Sequence, residues 1–320
     1  MKILIVKRNS TIPVFKYGGT QRDIYAQGKE LVALGHKVAF LVRKGSSCPF
    51  GEIIAHEPGK SLNEQIPADV DFVHFHDRPD EKIDKPYMVT VHGNGKPGES
   101  FDLNTVFVSK NHAERHNSKR YVYNGLDFDL LGKPDLQRRR EHLLFLAKAS
   151  RRIKNLKGSK EIAAMAGKKL AVVGGKKISF NPKVIYHGML GGEQKNAVIQ
   201  NSEALLFPVL WHEPLGLAIL ESLYFGCPVF GTPYGSLPEL ITNEIGFLSN
   251  SKKALAEAVK QTDQYSRNRC HQYVTDNFPA RKMTMDYLAC FEEVLNGNTL
   301  NPEEPHSIIT EKAPVFQMED

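Results

Sequence analysis

Short runs of apolar, β-branched-rich residues recur along the first part of the chain, at residues 2–6, 37–42, 72–75, 87–91, 105–108 and 120–123, with helix-length segments between many of them. This alternation predicts a mostly parallel sheet. The runs are apolar throughout and do not alternate with polar residues, the pattern expected where helices cover both faces of such a sheet. After Gly132-Lys133-Pro134 and the charged stretch 135–141 the pattern restarts, at 143–146, 170–173, 184–186, 204–207 and 228–230. Two similar α/β halves follow, with the boundary set at the Gly/Pro break: residues 1–134 and 135–278. A last helix over 279–295 carries Met283, Tyr287, Leu288, Phe291 and Leu295 at helical spacing and is expected to pack back towards the N-terminal half. Beyond it, Pro and acidic residues dominate, and residues 296–320 read as a mobile tail.

Length agrees with two domains, because 320 residues exceed what one hydrophobic core usually holds. Hydrophobic residues at 41% and charged residues at 24% are ordinary globular values and exclude fibrous and wholly disordered classes. The early apolar run 3–6 is closed by Lys7 and Arg8, too short for a signal peptide or a membrane span. Cys48, Cys227, Cys270 and Cys290 lack the close paired spacing of zinc sites and read as reduced thiols. A cytoplasmic protein is the expectation. Charge is uneven: residues 138–183 hold 14 Lys/Arg against Glu141 and Glu161, a local +12 within a net charge of +6. Such a region attracts phosphates, anionic lipid or nucleic acid, or is simply a solvated basic face.

Open parallel sheets bind ligands beyond the carboxyl ends of their strands, which directs inspection to the residues after each run. Tyr17-Gly18-Gly19-Thr20 opens a helix after the first strand, a binding loop for phosphate or sugar or a plain turn. His92-Gly93-Asn94-Gly95 follows the run 87–91 and sets an imidazole at a strand end. Lys148 follows 143–146, with Lys154 six residues on, both within reach of one anionic group. In Trp211-His212-Glu213-Pro214-Leu215-Gly216-Leu217-Ala218-Ile219-Leu220-Glu221, Pro214 reads as the first helical residue and Glu213 as standing at the helix mouth. On that reading Glu221 lies about 12 Å further along, turned by about 80°. The two carboxylates then cannot share a metal but can hold two ends of an elongated ligand, with the amides of Gly216, Leu217 and Ala218 on the phosphates between. Taken singly, Glu213 reads as a simple cap and Glu221 as a surface helix residue.

The order and spacing of these pieces resemble the retaining GT-B glycosyltransferases of group 1, the family of sucrose and glycogen synthases and bacterial mannosyltransferases, from Met1 to about Leu295. The resemblance rests on Gly18-Gly19, His92, Asn124-Gly125-Leu126-Asp127, Lys148 with Lys154, the Glu213-x7-Glu221 motif, Gly226-Cys227-Pro228-Val229 and Gly235-Ser236-Leu237-Pro238-Glu239. It implies a GT-B fold, two Rossmann-like doubly wound parallel-sheet domains facing across a cleft, and a nucleotide-diphosphate sugar as donor. Acceptors fall to the first domain and donors to the second. By the same resemblance Glu213 engages the donor sugar, Glu221 the nucleotide ribose, Lys154 and Lys148 the diphosphate, and His92 the active site, with Gly18 and Gly19 beside the donor. Lys148 stands where the family usually has Arg, so the cation is kept without the bidentate fork.

A metal is not expected. Asp127-Phe128-Asp129 and Asp69-Val70-Asp71 imitate the Asp-x-Asp metal motif of another fold, but Asp127 belongs to the Asn-Gly-x-Asp piece and Asp69-Val70-Asp71 precedes a strand. No cofactor is expected beyond the donor substrate. The expected acceptor is a glycan or lipid-linked molecule of cell-envelope polysaccharide or lipopolysaccharide synthesis, with the surplus basic charge facing an anionic membrane surface. Alternatives are a nucleotide-sugar epimerase or phosphorylase of the same fold, or a module binding an anionic polymer. The last would interleave aromatics with the basic residues, whereas only Phe145 and Phe180 lie between 138 and 183.

Overall fold

The computed structural model describes residues 1–14, 18–175, 181–309 and 316–320. Tyr17 and Phe180, singled out in the sequence, lie outside the described residues, as do Lys176 and Lys177 of the basic region. Packing divides the described residues into two units, one built from residues 1–14, 18–126 and 280–309, the other from 127–175, 181–279 and 316–320.

The first unit contains β1 (Lys2–Lys7), α1 (Gly19–Ala33), β2 (Lys37–Val42), β3 (Glu52–Ala55), α2 (Leu62–Gln65), β4 (Phe72–Phe75), β5 (Tyr87–Val91), β6 (Thr105–Phe107) and α3 (Lys110–Glu114). The second contains α4 (Phe128–Leu131), β7 (His142–Leu146), α5 (Leu156–Met165), β8 (Leu170–Val173), β9 (Val184–Gly188), α6 (Gly192–Gln200), β10 (Ser202–Phe207), α7 (Leu217–Tyr224), β11 (Val229–Gly231), α8 (Leu237–Leu240), β12 (Gly246–Leu248), α9 (Lys252–Lys260) and α10 (Arg267–Asn277). Helix α11 (Ala280–Leu295) returns to the first unit.

Both sheets have six strands, all parallel, in the orders β3-β2-β1-β4-β5-β6 and β12-β11-β10-β7-β8-β9. Counted from the first strand of each unit, these are the same doubly wound order. Each sheet therefore reverses direction once, between β1 and β4 in the first and between β7 and β10 in the second, and such reversals open a crevice at the carboxyl ends. The central strands are apolar on both faces because helices cover both: in β1, Ile3 to Val6 are all buried. One face of the first sheet packs Ile3, Ile5, Phe40 and Phe72 against Ile24 and Leu31 of α1 and Met283, Tyr287 and Phe291 of α11. The core of the second packs Leu143, Phe145, Val172 and Leu206 against Ile162 of α5 and Leu255 and Val259 of α9.

Several expectations are corrected. Edge strands β3 and β12 escape the apolar-run criterion because they are short and largely half-exposed. Residues 120–123 are not a strand; Tyr121 makes a single bridge to Phe107. The units part between Leu126 and Asp127 rather than at 134/135, because α4 packs on the second unit: Phe128 stacks on Tyr224 at 4.9 Å, and Gly132 accepts the Tyr224 hydroxyl at 2.8 Å. The described parts of the C-terminal segment, 296–309 and 316–320, are not a mobile tail. Leu300 and Asn301 are buried, the Asn301 amide donates to the carbonyls of Leu103 and Thr105, and Ser307 N–H donates to Glu99 O. Phe316 stacks on Tyr234 at 4.1 Å and Met318 joins the second core. Scattered apolar residues anchor these parts, which a periodicity search does not register.

Candidate active site

The second sheet reverses between β7 and β10, and the segments after these two strands carry the strongest charge chemistry in the unit. After β7 a single 3-10 turn, Arg152–Lys154, turns Lys154 inward. After β10 the chain runs through Pro208 and Trp211 to Glu213, which bridges in parallel to Gly235. Lys154 Nζ donates to Glu213 Oε2 at 2.5 Å, and the side chains are 9% and 8% exposed. Trp211 Nε1 donates to the same oxygen at 2.7 Å, and the Lys154 ammonium lies 4.9 Å from the Trp211 ring centroid and 5.3 Å from that of Phe207. A buried cation over two aromatic faces and against a carboxylate is compensated on several sides. The backbone holds Glu213 just as tightly. Ser236 N–H donates to Glu213 O at 2.9 Å, and a Cβ on Gly235, whose φ is +68°, would fall 2.3 Å from both Glu213 N and O. Only glycine fits there.

Pro214 does not start the helix. Gly216, at φ +92°, is the N-cap and α7 begins at Leu217. The helical estimate of separation between Glu213 and Glu221 therefore does not apply, because a left-handed residue intervenes. Gly216, Leu217 and Ala218 are half-exposed at the helix start. Glu221, 2% exposed, faces a partner that the sequence did not suggest: Lys195 of α6, 4% exposed, donates from Nζ to Glu221 Oε1 at 2.5 Å. Nothing in the local pattern marks Lys195; only the folded arrangement of α6 and α7 brings it there. Lys148 is exposed beyond β7, its carbonyl accepting from Arg151 N–H at 3.0 Å.

The basic region is less uniform than its composition. Arg140 is buried and donates to the carbonyls of Ser202, Phe225 and Gly226, Lys168 pairs with Glu203, and Lys154 is committed to Glu213. Arg138, Arg139, Lys148, Arg151, Arg152, Lys157, Lys160, Lys169 and Lys183 are exposed. The two Asp-x-Asp imitations have other work. Asp69 accepts Lys2 Nζ at 3.0 Å and Asp71 accepts Lys2 N–H at 2.7 Å, while Asp127 caps α4 by accepting Asp129 N–H at 3.1 Å.

In the first unit Gly18 is the N-cap of α1 and Gly19 its first residue. His92 follows β5, and its loop is clamped by other histidines. His92 Nε2 and His76 Nδ1 are 2.8 Å apart, the two rings nearly parallel with centroids 5.1 Å apart. His112 Nε2 donates to Gly93 O at 3.0 Å, Arg115 donates to Asn94 Oδ1 at 2.9 Å, and Gly95 N–H donates to His116 Nε2 at 2.9 Å. Burial holds His92 neutral, with a pKa lowered to about 3, and the nearby Lys7 ammonium adds to the effect. Burial likewise lowers His74, His76, His112 and His116. The period-two pair of His74 in β4 and His76 just beyond its end is a legible signal for this cluster, since alternate residues of extended chain share a face.

Residues 140–276 match the family model of glycosyl transferases, group 1. The matched stretch covers most of the second unit. The stretch takes in Lys154, Lys195, Glu213 and Glu221. An uncharacterized 41.2 kDa protein in the cps region of Klebsiella pneumoniae is 26% identical over 117 residues, which is 34% of this chain and 32% of that protein, so the match spans about a third of the relative's length. Among solved structures, AviGT4, a glycosyltransferase involved in avilamycin A biosynthesis, superposes with a TM-score of 0.76 at 20% identity over 93% of this chain and 99% of its own. Anabaena HepE in complex with UDP and glucose superposes with a TM-score of 0.65 at 13% identity over 92% of this chain and 100% of its own. These likenesses show the fold: a two-domain α/β architecture of the GT-B kind. Among the described residues no helix is long and apolar enough to cross a membrane.

Proposed function

We propose that the protein is a retaining glycosyltransferase that moves a sugar from a nucleotide-diphosphate donor to a glycan or lipid-linked acceptor of cell-envelope polysaccharide or lipopolysaccharide synthesis, without a metal ion. The observation that carries the reading is the buried Lys154–Glu213 pair at 2.5 Å, beyond the two strands where the second sheet reverses. An ammonium and a carboxylate held side by side suit a ligand with a departing phosphate next to a ring of hydroxyls.

In the proposed reaction the bond between the anomeric carbon and the β-phosphate oxygen breaks, and the nucleoside diphosphate leaves with the electron pair. The acceptor oxygen bonds to the anomeric carbon on the same face, and its proton passes to the leaving phosphate. Lys154 and Lys148, with the amides of Gly216, Leu217 and Ala218, stabilise the charge that grows on the phosphate. Glu213 accepts hydrogen bonds from the donor sugar and Glu221 from the ribose hydroxyls, sharing its carboxylate with Lys195. His92 contributes a neutral imidazole to the reacting sugar, and Gly18 and Gly19 let backbone approach the donor. The HepE complex, which holds UDP and glucose, supports a nucleotide-sugar donor here by likeness of fold. The exposed cations of 138–183 are the surface proposed to meet an anionic membrane or a phosphorylated acceptor.

The test is a thermal-shift screen across nucleotide sugars, in which a ligand at 100 times its dissociation constant adds about 2.7 kcal/mol, followed by transfer assays with and without chelator and NMR of the product anomer. Stabilisation by one nucleotide sugar and a product of retained configuration support the proposal. Inverted configuration overturns the retaining mechanism, and turnover without any acceptor turns the reading to an epimerase.

A further inference from the structure

Behind His92 runs a buried line of hydrogen-bonding side chains. His92 Nε2 meets His76 Nδ1 at 2.8 Å, His76 Nε2 meets Gln27 Oε1 at 3.2 Å, Gln27 Nε2 meets His74 Nδ1 at 2.8 Å, and His74 Nε2 meets Thr90 Oγ1 at 2.8 Å. Gln27, His74 and His76 are 0%, 0% and 3% exposed. An amide is polar in a fixed sense: its oxygen only accepts and its nitrogen only donates. Gln27 Oε1 therefore requires a proton on His76 Nε2, a neutral His76 then has a bare Nδ1, and that atom can only accept from His92 Nε2–H. At the other end Gln27 Nε2–H requires a bare His74 Nδ1, whose Nε2–H donates to Thr90. One buried amide sets every proton in the line. Among the described residues His92 Nδ1 takes no hydrogen bond, and His92 is only half-buried.

We infer that Gln27 and His76 are positioning residues that hold His92 as its Nε2–H tautomer, so that Nδ1 is the unprotonated, accepting face offered to the reacting sugar. This rests on the role proposed above for His92. The surroundings reinforce it. Lys7 Nζ donates to His76 O at 2.8 Å, with Asp77 and Arg8 beside it, so the cation near the pair is engaged with a carbonyl and disfavours a second positive charge on either ring. Tyr287 of α11 packs edge-on against both His74 and His76 and closes the line from water. A neutral accepting imidazole takes a hydrogen bond from a sugar hydroxyl, raising the electron density of that oxygen as positive charge develops at the anomeric carbon.

The experiment is long-range 1H–15N NMR of the full chain labelled in histidine, which distinguishes the two neutral tautomers from imidazolium, combined with transfer kinetics. Wild-type protein at pH 7 is expected to show His92 and His76 both as Nε2–H tautomers. Gln27→Leu removes the amide that sets the protons, and His76→Phe keeps a stacked ring without the accepting nitrogen. In either variant His92 is expected to give mixed tautomer signals, with kcat down about tenfold or more and donor KM within about twofold. His92 found as the Nδ1–H form or as imidazolium in the wild type, or unmoved in both variants, overturns the inference. His92→Ala separates the two failures. A wild-type rate there overturns the proposed role of His92 and this inference with it, whereas a lost rate with an unmoved tautomer overturns this inference alone.

Discussion

Replacing Lys154 by Met leaves the Glu213 carboxylate, 8% exposed, with the Trp211 indole as its donor among the described residues. At 2.5 Å and an effective dielectric of about 20, the lost attraction is about 7 kcal/mol. Desolvation of several kcal/mol per ion offsets most of that in the intact pair, so the pair itself is near neutral for stability. Removing one partner is not neutral, because the other ion stays buried, at a cost of about 3–5 kcal/mol. For a domain of this size the melting temperature should fall by roughly 6 to 20 °C. The double variant Lys154→Met/Glu213→Leu removes both charges and should recover at least about 2 kcal/mol of the summed single losses. Denaturant unfolding followed by fluorescence is suited to this, since Trp211 is the sole tryptophan of the chain and sits on the pair. All three variants should lose most transfer. A double variant as unstable as the sum of its parts would refute the coupling, and near wild-type transfer by Lys154→Met would remove the lysine from the mechanism.

Glu221→Ala removes a carboxylate partner of the buried Lys195 ammonium and should destabilise by about 3–5 kcal/mol; Glu221→Ala/Lys195→Met should regain part of that stability yet bind donor more weakly, and an unchanged donor Kd by Trp211 fluorescence would contradict a ribose role. Gly235→Ala forces a Cβ to 2.3 Å from the Glu213 backbone, so activity should drop even where circular dichroism shows folded protein; full activity would mean that the Glu213 position is not critical. Burial lowers the pKa of His74, His76, His92 and His112 below the ordinary value, so the unfolded chain takes up protons that the folded chain refuses. Stability should therefore fall as pH drops below about 6.5, by up to about 1.4 kcal/mol per pH unit for each such histidine. A melting temperature that is flat from pH 7 to 5 would refute this. Deleting residues 316–320 removes the Phe316 stack on Tyr234 and Met318 from the core, and should lower the melting temperature by several degrees; no change would restore the mobile-tail reading.

The strands at the centre of each sheet were legible because both faces are covered, which forces a run of apolar residues that no edge strand needs. Lys154, Glu213 and Glu221 were legible as types at a spacing, and Gly235 as part of a motif. What the linear pattern could not supply was partnership. Lys195 meets Glu221 across 26 residues, and Gln27 joins His74 and His76 across 47 and 49, because parallel strands are joined by crossover helices that bring distant positions onto one face. The start of α7 was misplaced for a related reason: Pro214 satisfies the local rule for a first helical residue, but the bridge from Glu213 to Gly235 holds that segment extended until Gly216 turns it. The unit boundary moved likewise, since Gly132 and Pro134 mark a turn whereas the stacking of Phe128 on Tyr224 decides which core α4 joins. Composition and periodicity thus determined two α/β halves with mostly parallel sheets and the kinds of group at their strand ends. Only the folded chain decided which charges meet, because buried pairing energy depends on contacts between residues far apart along the backbone.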